Sequence, residues 1–188
     1  MLVVLVVVVA GCSSTDSGST DATPSTPVAP DPSSAANTTG TTPAGAFTLT
    51  SSAFAEGEAI PLRYACVNQG GENASPPLAW SGVPDDTETL ILVVHDPDAP
   101  IPGGFTHLVT TIPTDVSSVD DGANLTGEGP MAMWIGPCPP SGEHHYVFTL
   151  LAFGPGGIAA GADKAAIEAA KTKAIGEATL TGVFAHQS

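Results

Sequence analysis

Two apolar runs constrain this chain most: ETLILVVHD at residues 88–96 and HYVFTLLAF at residues 145–153. Successive positions in each carry bulky apolar side chains, so an extended strand there would be apolar on both faces. Neither run approaches the ~20 residues that a helix needs to cross a bilayer. Both are bounded by turn formers: PDD and DPDAP around the first, GPCPPSG and GPGG around the second. Strands of this kind must be covered on both sides, which places them at the centre of a β sandwich.

The rest of the chain supports a mainly β reading. Short segments rich in Val, Ile, Leu, Thr and Phe, separated by Gly, Pro, Asn and Asp, predict strands over Phe47–Thr50, Pro61–Cys66, Leu78–Trp80, Thr87–His95, Phe105–Ile112, Tyr146–Phe153 and Ala178–Phe184. One helix is predicted, over Asp163–Ala174 (DKAAIEAAKTKA). Asp163 can cap its first turn, Lys171 and Lys173 suit its last, and Gly176 follows.

The N-terminal region has a different character. MLVVLVVVVAGC has the length and hydropathy of an export signal, and Val9-Ala10-Gly11-Cys12 resembles a bacterial lipobox, in which the cysteine receives diacylglycerol. No basic residue precedes the apolar run, so the natural start is expected upstream of Met1. Residues 12–45, from the lipidated Cys12 through a Ser/Thr/Pro-rich stretch, cannot bury enough apolar surface to offset their ordering entropy and are expected to form a tether. The organisation expected is a signal at 1–11, the tether at 12–45 and one domain at 46–188. This places the chain on the extracytoplasmic face of the cell membrane, held by lipid.

Charge excludes two partner classes. Four Lys and Arg stand against nineteen Asp and Glu, a formal net charge of −15. Arg63, Lys164, Lys171 and Lys173 are too few to neutralise a run of phosphates, so neither nucleic acid nor an anionic bilayer surface is an expected partner. With Cys12 assigned to lipid, Cys66 and Cys138 remain. In an exported protein they form either a disulfide or two separate buried thiols.

Side-chain alternation assembles a candidate site. A strand beginning near His144 turns His144 and Tyr146 to one face and His145 to the other. Asp96 continues the face of Leu92 and Val94, and His107 lies two residues after Phe105 in the next strand. The connection DPDAPIPGG is tight, so Asp96 and His107 can meet across the hairpin mouth.

The segments IPLRYACVNQGGENASPPLAWSGVP, DPDAP, FTHLVTTIP and GPCPPSGEHHYVFTLLAF, in this order, closely resemble the phosphatidylethanolamine-binding protein family, and in particular its bacterial Raf-kinase-inhibitor-like branch. The resemblance implies an antiparallel Greek-key sandwich with short helices and a pocket for a small anion such as phosphate or a phospholipid headgroup. It assigns Asp96, Asp98, His107, Gly136, Pro139, Pro140, His144 and Tyr146 to that pocket. Two departures from the family pattern stand out: Leu108 after His107, where an aromatic residue is common, and MAMWI at residues 131–135 before the proline loop.

The residue types suit that assignment. Histidine and tyrosine supply directional donors, prolines hold a loop without adding N–H groups, and a carboxylate can orient a neighbouring imidazole. Other readings are weaker. Asp96, His107 and His144 superficially form a metal-ligand set, but no ligand spacing such as HExxH is present. Ser141 beside His144 lacks a GxSxG elbow, and the paired acids of DPDAP suit a turn better than glycosidase chemistry. No enzymatic activity, metal or cofactor is therefore expected. The alternative function is inhibition or scaffolding of an extracellular protease or other protein partner, whose identity the residues leave unknown. His95 and His145 read as structural, His186 as a functionless tail residue, and Trp80 and Phe148 as core.

Overall fold

The computed structural model describes residues 45–127 and 133–188. The expected signal, Cys12 and residues 12–44 of the tether lie outside the described residues, as do Met131 and Ala132. The two apolar runs become β3 (Thr89–Asp96) and β6 (Glu143–Phe153), and they pair antiparallel at the middle of a sheet. β4 (Phe105–Ile112) flanks β3 and β7 (Gly176–Ala185) flanks β6, giving the order β4-β3-β6-β7. A smaller sheet of order β1-β2-β5 is formed by β1 (Thr48–Thr50), β2 (Leu78–Ser81) and β5 (Ser118–Val119).

Both faces of β3 and β6 are covered, by two different kinds of partner. One face carries Leu90, Leu92, Val94, Phe148 and Leu150 into a core shared with Leu49, Leu78 and Trp80 of the small sheet. The other carries Ile91, Val93, Leu151 and Phe153 against Ile167 and Ala170 of the helix α1 (Lys164–Ala170). The chain is an antiparallel sandwich with a helix as a third layer. Trp80 and Phe148 are core residues, as expected.

The predicted helix forms as α1 and continues through a tighter turn at Lys171–Lys173. Asp163 caps it by accepting the Ala166 amide at 2.8 Å. Asp163→Ala is expected to cost about 1 kcal/mol, read as a lower urea midpoint.

Two sequence expectations are corrected. Pro61–Cys66 is not a strand: Leu62–Tyr64 and Val67–Gln69 form single 3-10 turns. Its backbone bonds locally, as in Tyr64 N–H to Pro61 O at 3.0 Å, because no neighbouring strand offers it a ladder. β6 starts at Glu143 rather than Tyr146, because β7 extends to Ala185 and supplies partners for His144 and His145.

Candidate functional site

The site forms where the β3–β4 hairpin meets the start of β6. The β3–β4 register runs Val94↔Leu108 and then His95↔Thr106, so His107 is an extra residue without a partner across the ladder. Such a bulge breaks strict alternation. Leu108 stays in the inter-sheet core, while His107 sits beside Asp96 on the wall of a pocket. The departure at Leu108 therefore falls in the core and not on the pocket wall.

Ile135 holds the bulged histidine twice. Its N–H donates to His107 O at 3.3 Å, and its carbonyl accepts from His107 Nδ1 at 2.6 Å. A carbonyl only accepts, so Nδ1 carries the proton and Nε2 presents a lone pair when the ring is neutral. Nε2 is buried without a partner. Burial, the largest influence, holds the His107 pKa below the usual histidine range; the Ile135 bond and the Asp96 charge oppose it.

Asp96 is buried and uses both oxygens. Oδ1 accepts the Asp98 amide at 2.8 Å, tightening the DPDAP turn, and Oδ2 accepts from His144 Nδ1 at 2.7 Å. The carboxylate thus orients His144, whereas a main-chain carbonyl orients His107. Tyr146 is fully buried and packs edge-on to the His107 ring, with centroids 5.2 Å apart. Its hydroxyl lies near Asp96 and the Cys138 amide but reaches neither in hydrogen-bonding geometry. Burial, and next the Asp96 charge, push its pKa well up, so it stays a neutral O–H donor.

The pocket beside these groups is a cavity of about 260 Å³. Asp96 and His107 are its ionisable lining; Ile101, Phe105, Ile135 and Pro140 give it an apolar wall. No Lys or Arg lines it. Among the described residues no three His, Cys, Asp or Glu side chains are grouped as a metal would require.

Of the eight assigned residues Asp96, His107 and Pro140 line this cavity; His144 and Tyr146 stand behind Asp96 and His107, and the other three are placed as follows. Gly136 gives its amide to Asn73 Oδ1 at 2.8 Å, and a Cβ there would collide with the Tyr64 carbonyl. Its glycine is thus required by close packing of two backbones. Pro139 sits between the lining residues Cys138 and Pro140. Asp98 is placed on the outer side, where Oδ2 accepts both the His145 amide at 2.8 Å and His145 Nδ1 at 2.7 Å. The His145 amide first, and then its ring, hold the Asp98 carboxyl below the usual range. The disulfide alternative holds for the cysteines: Cys66 and Cys138 are bonded, with Cα atoms 5.5 Å apart.

Sequence reasoning missed several contributors. Ile135 acts through main-chain atoms, which carry no residue signature. His186 is no idle tail residue: its amide donates to Gly142 O at 2.7 Å, and its ring approaches Pro139 O and Gln69 Nε2. The signal for the apolar wall lies in the IP and GGF of the β3–β4 connection, whose Ile101 and Phe105 line the cavity.

An antiparallel sandwich with a small pocket, walled by a proline loop and a bulged histidine, defines a recognisable class of fold. The chain belongs to the phosphatidylethanolamine-binding protein family, whose sequence model matches residues 50–185. A UPF0098 protein of Methanothermobacter thermautotrophicus is 36% identical over 149 residues, 72% of this chain and 97% of that one. LppC of Mycobacterium tuberculosis, named a candidate lipoprotein, is 39% identical over 162 residues, 77% of this chain and 76% of that one. Among solved structures, YbcL of Escherichia coli, described as a member of the mammalian PEBP family, matches with a TM-score of 0.65 at 29% identity, covering 74% of this chain and 98% of that one. The homologue CT736 of Chlamydia trachomatis gives 0.64 at 32% identity, covering 74% and 97%. Among the described residues no helix is long and apolar enough to cross a membrane.

Proposed function

We propose that this protein is held by lipid on the extracytoplasmic face of the cell membrane and binds a small anion, phosphate or a phosphate-bearing headgroup, without acting on it as an enzyme. The observation that carries the binding reading is the unsatisfied buried His107 Nε2 on the pocket wall, with the unsatisfied Tyr146 hydroxyl on the ring packed behind it. A buried polar atom without a partner costs free energy, and a ligand oxygen reaching His107 Nε2 would recover it. The apolar wall would receive whatever substituent the anion carries. Attachment is supported by the lipobox-like Val9–Cys12 and by the lipoprotein naming of a relative.

The reading has a pH signature. Without an anion beside it His107 is neutral near pH 7, because burial holds its pKa below the ordinary value of about 6.5. An anion at Nε2 favours the N–H⁺ form, so binding takes up a proton. Affinity should therefore rise as pH falls, by up to about tenfold per unit between the lowered free pKa and the raised bound pKa. Asp96, His144 and His95 also act on this ring, and Asp96 favours the charged form. Ligand-free stability has the opposite sign: below about pH 6.5 the unfolded chain gains a proton that folded His107 refuses, so stability declines with falling pH.

Calorimetry with dimethyl phosphate, whose single charge does not titrate in this range, tests the reading without interference from the ligand's own protons. Binding that strengthens at low pH in the native protein, and loses that slope in His107→Gln, is expected. No binding of either dimethyl phosphate or inorganic phosphate between pH 5 and 8 would overturn it.

A further inference from the structure

The loop at residues 136–142, GPCPPSG, forms the pocket lip through Cys138 and Pro140, yet it has few donors of its own. Three of its residues are prolines without N–H, and the Gly136 amide is spent on Asn73. Beyond that bond, a loop so poor in donors is held through its carbonyls and its disulfide. Three carbonyls are indeed taken from outside: Pro137 O by the Cys66 amide at 2.9 Å, Pro139 O by Gln69 Nε2 at 3.0 Å, and Gly142 O by the His186 amide at 2.7 Å.

Gln69 connects two of these ties. It is the one buried residue of the Val67–Gln69 turn. While Nε2 donates to Pro139, Oε1 accepts the Gln187 amide at 2.7 Å. Its own amide donates to Cys66 O at 3.0 Å, which keeps it in step with the cysteine bonded to Cys138. A carboxamide is the side-chain type that both donates and accepts at its tip in this way. Val67, on the same turn, is exposed and free of such duty.

We infer that Gln69, bridging the lip and residues 186–187, is a positioning residue for the pocket: it sets where Pro140 and Cys138 stand without touching the ligand. The inference rests on the anion-pocket reading above for its ligand arm, and on loop geometry alone for its second arm.

The test uses the full chain, with Gln69→Met, Gln69→Glu and, as a control, Ile167→Ala in the helix-facing core. Gln69→Met keeps a side chain of similar length but removes its bonds to Pro139, His186 and Gln187. Gln69→Glu keeps the acceptor for Gln187 but loses the donor to Pro139. Two readouts are taken: dimethyl phosphate affinity by calorimetry, and lip exchange, read as hydrogen exchange at the Cys66 and His186 amides that donate to the lip carbonyls of Pro137 and Gly142. Both Gln69 variants should weaken binding about tenfold. They should also speed exchange at the lip while leaving the β3 and β6 amides unchanged. Ile167→Ala should lower the unfolding midpoint and move neither lip exchange nor affinity. Unchanged lip exchange in Gln69→Met overturns the inference, and so does an equal effect in Ile167→Ala. Should the wild-type protein bind neither dimethyl phosphate nor inorganic phosphate, the anion reading fails and lip exchange alone decides this one.

Discussion

Replacing Cys66 and Cys138 together by serine is expected to lower stability by about 4 kcal/mol. The bond joins positions 72 residues apart, tying the turn before β2 to the lip before β6. Opening it returns a large loop to the unfolded ensemble, and chain entropy for a loop of that size gives roughly the value stated. The folded state suffers as well, since Cys138 lines the pocket and the Pro137 carbonyl is taken by the amide of Cys66 itself. Urea unfolding checks this: the midpoint should fall by roughly 2 M at slopes ordinary for a domain of this size. Wild-type protein measured in reductant should shift equally. An unchanged midpoint in both would mean that the bond constrains nothing the fold does not already hold.

The second large effect is expected at Asp96. Asp96→Ala should cost about 3–5 kcal/mol, because it strands a partner inside the protein and does not simply delete a contact. The His144 Nδ1–H loses its acceptor at a site where the Asp96 and His144 side chains are 4% and 8% exposed, and the Asp98 amide loses the bond that closes its turn. Asp96→Asn keeps the shape and can still accept the Asp98 amide, but its NH₂ or a reversed His144 tautomer must replace the charge-assisted bond. A cost of about 1–2 kcal/mol is expected there. The ordering Ala worse than Asn, measured by denaturant unfolding, is the check. Equal costs would show that the turn bond to Asp98 carries little.

The core was legible because it repeats. β3 and β6 carry apolar residues on both alternating faces along their central stretches, Leu90–Val94 and Tyr146–Phe153, and the structure covers both faces, with a helix on one side. The cap at Asp163 was legible because a carboxylate before an alanine-rich run has one obvious use. Asp96, His107, His144 and Tyr146 do meet, as alternation and resemblance indicated. Asp98 does not join them, because turning toward His145 gives its oxygen two donors at the surface. The Pro61–Cys66 segment misled for a related reason: its apolar residues and single prolines look strand-like, but no strand lies alongside to pair with them.

The sequence by itself determined which segments are central strands, where the helix begins and which residue types gather near the hairpin mouth. Those properties follow from side-chain period, burial and local capping, all of which are written in the order of residues. Only the tertiary structure decided that His107 is a bulge, that the Ile135 carbonyl sets its tautomer, that Cys66 and Cys138 are bonded, and that Gln69 grips the proline lip. Each of these depends on a main-chain atom or a distant partner. A carbonyl oxygen is the same whatever residue bears it, so its position enters the chemistry only once the chain has folded.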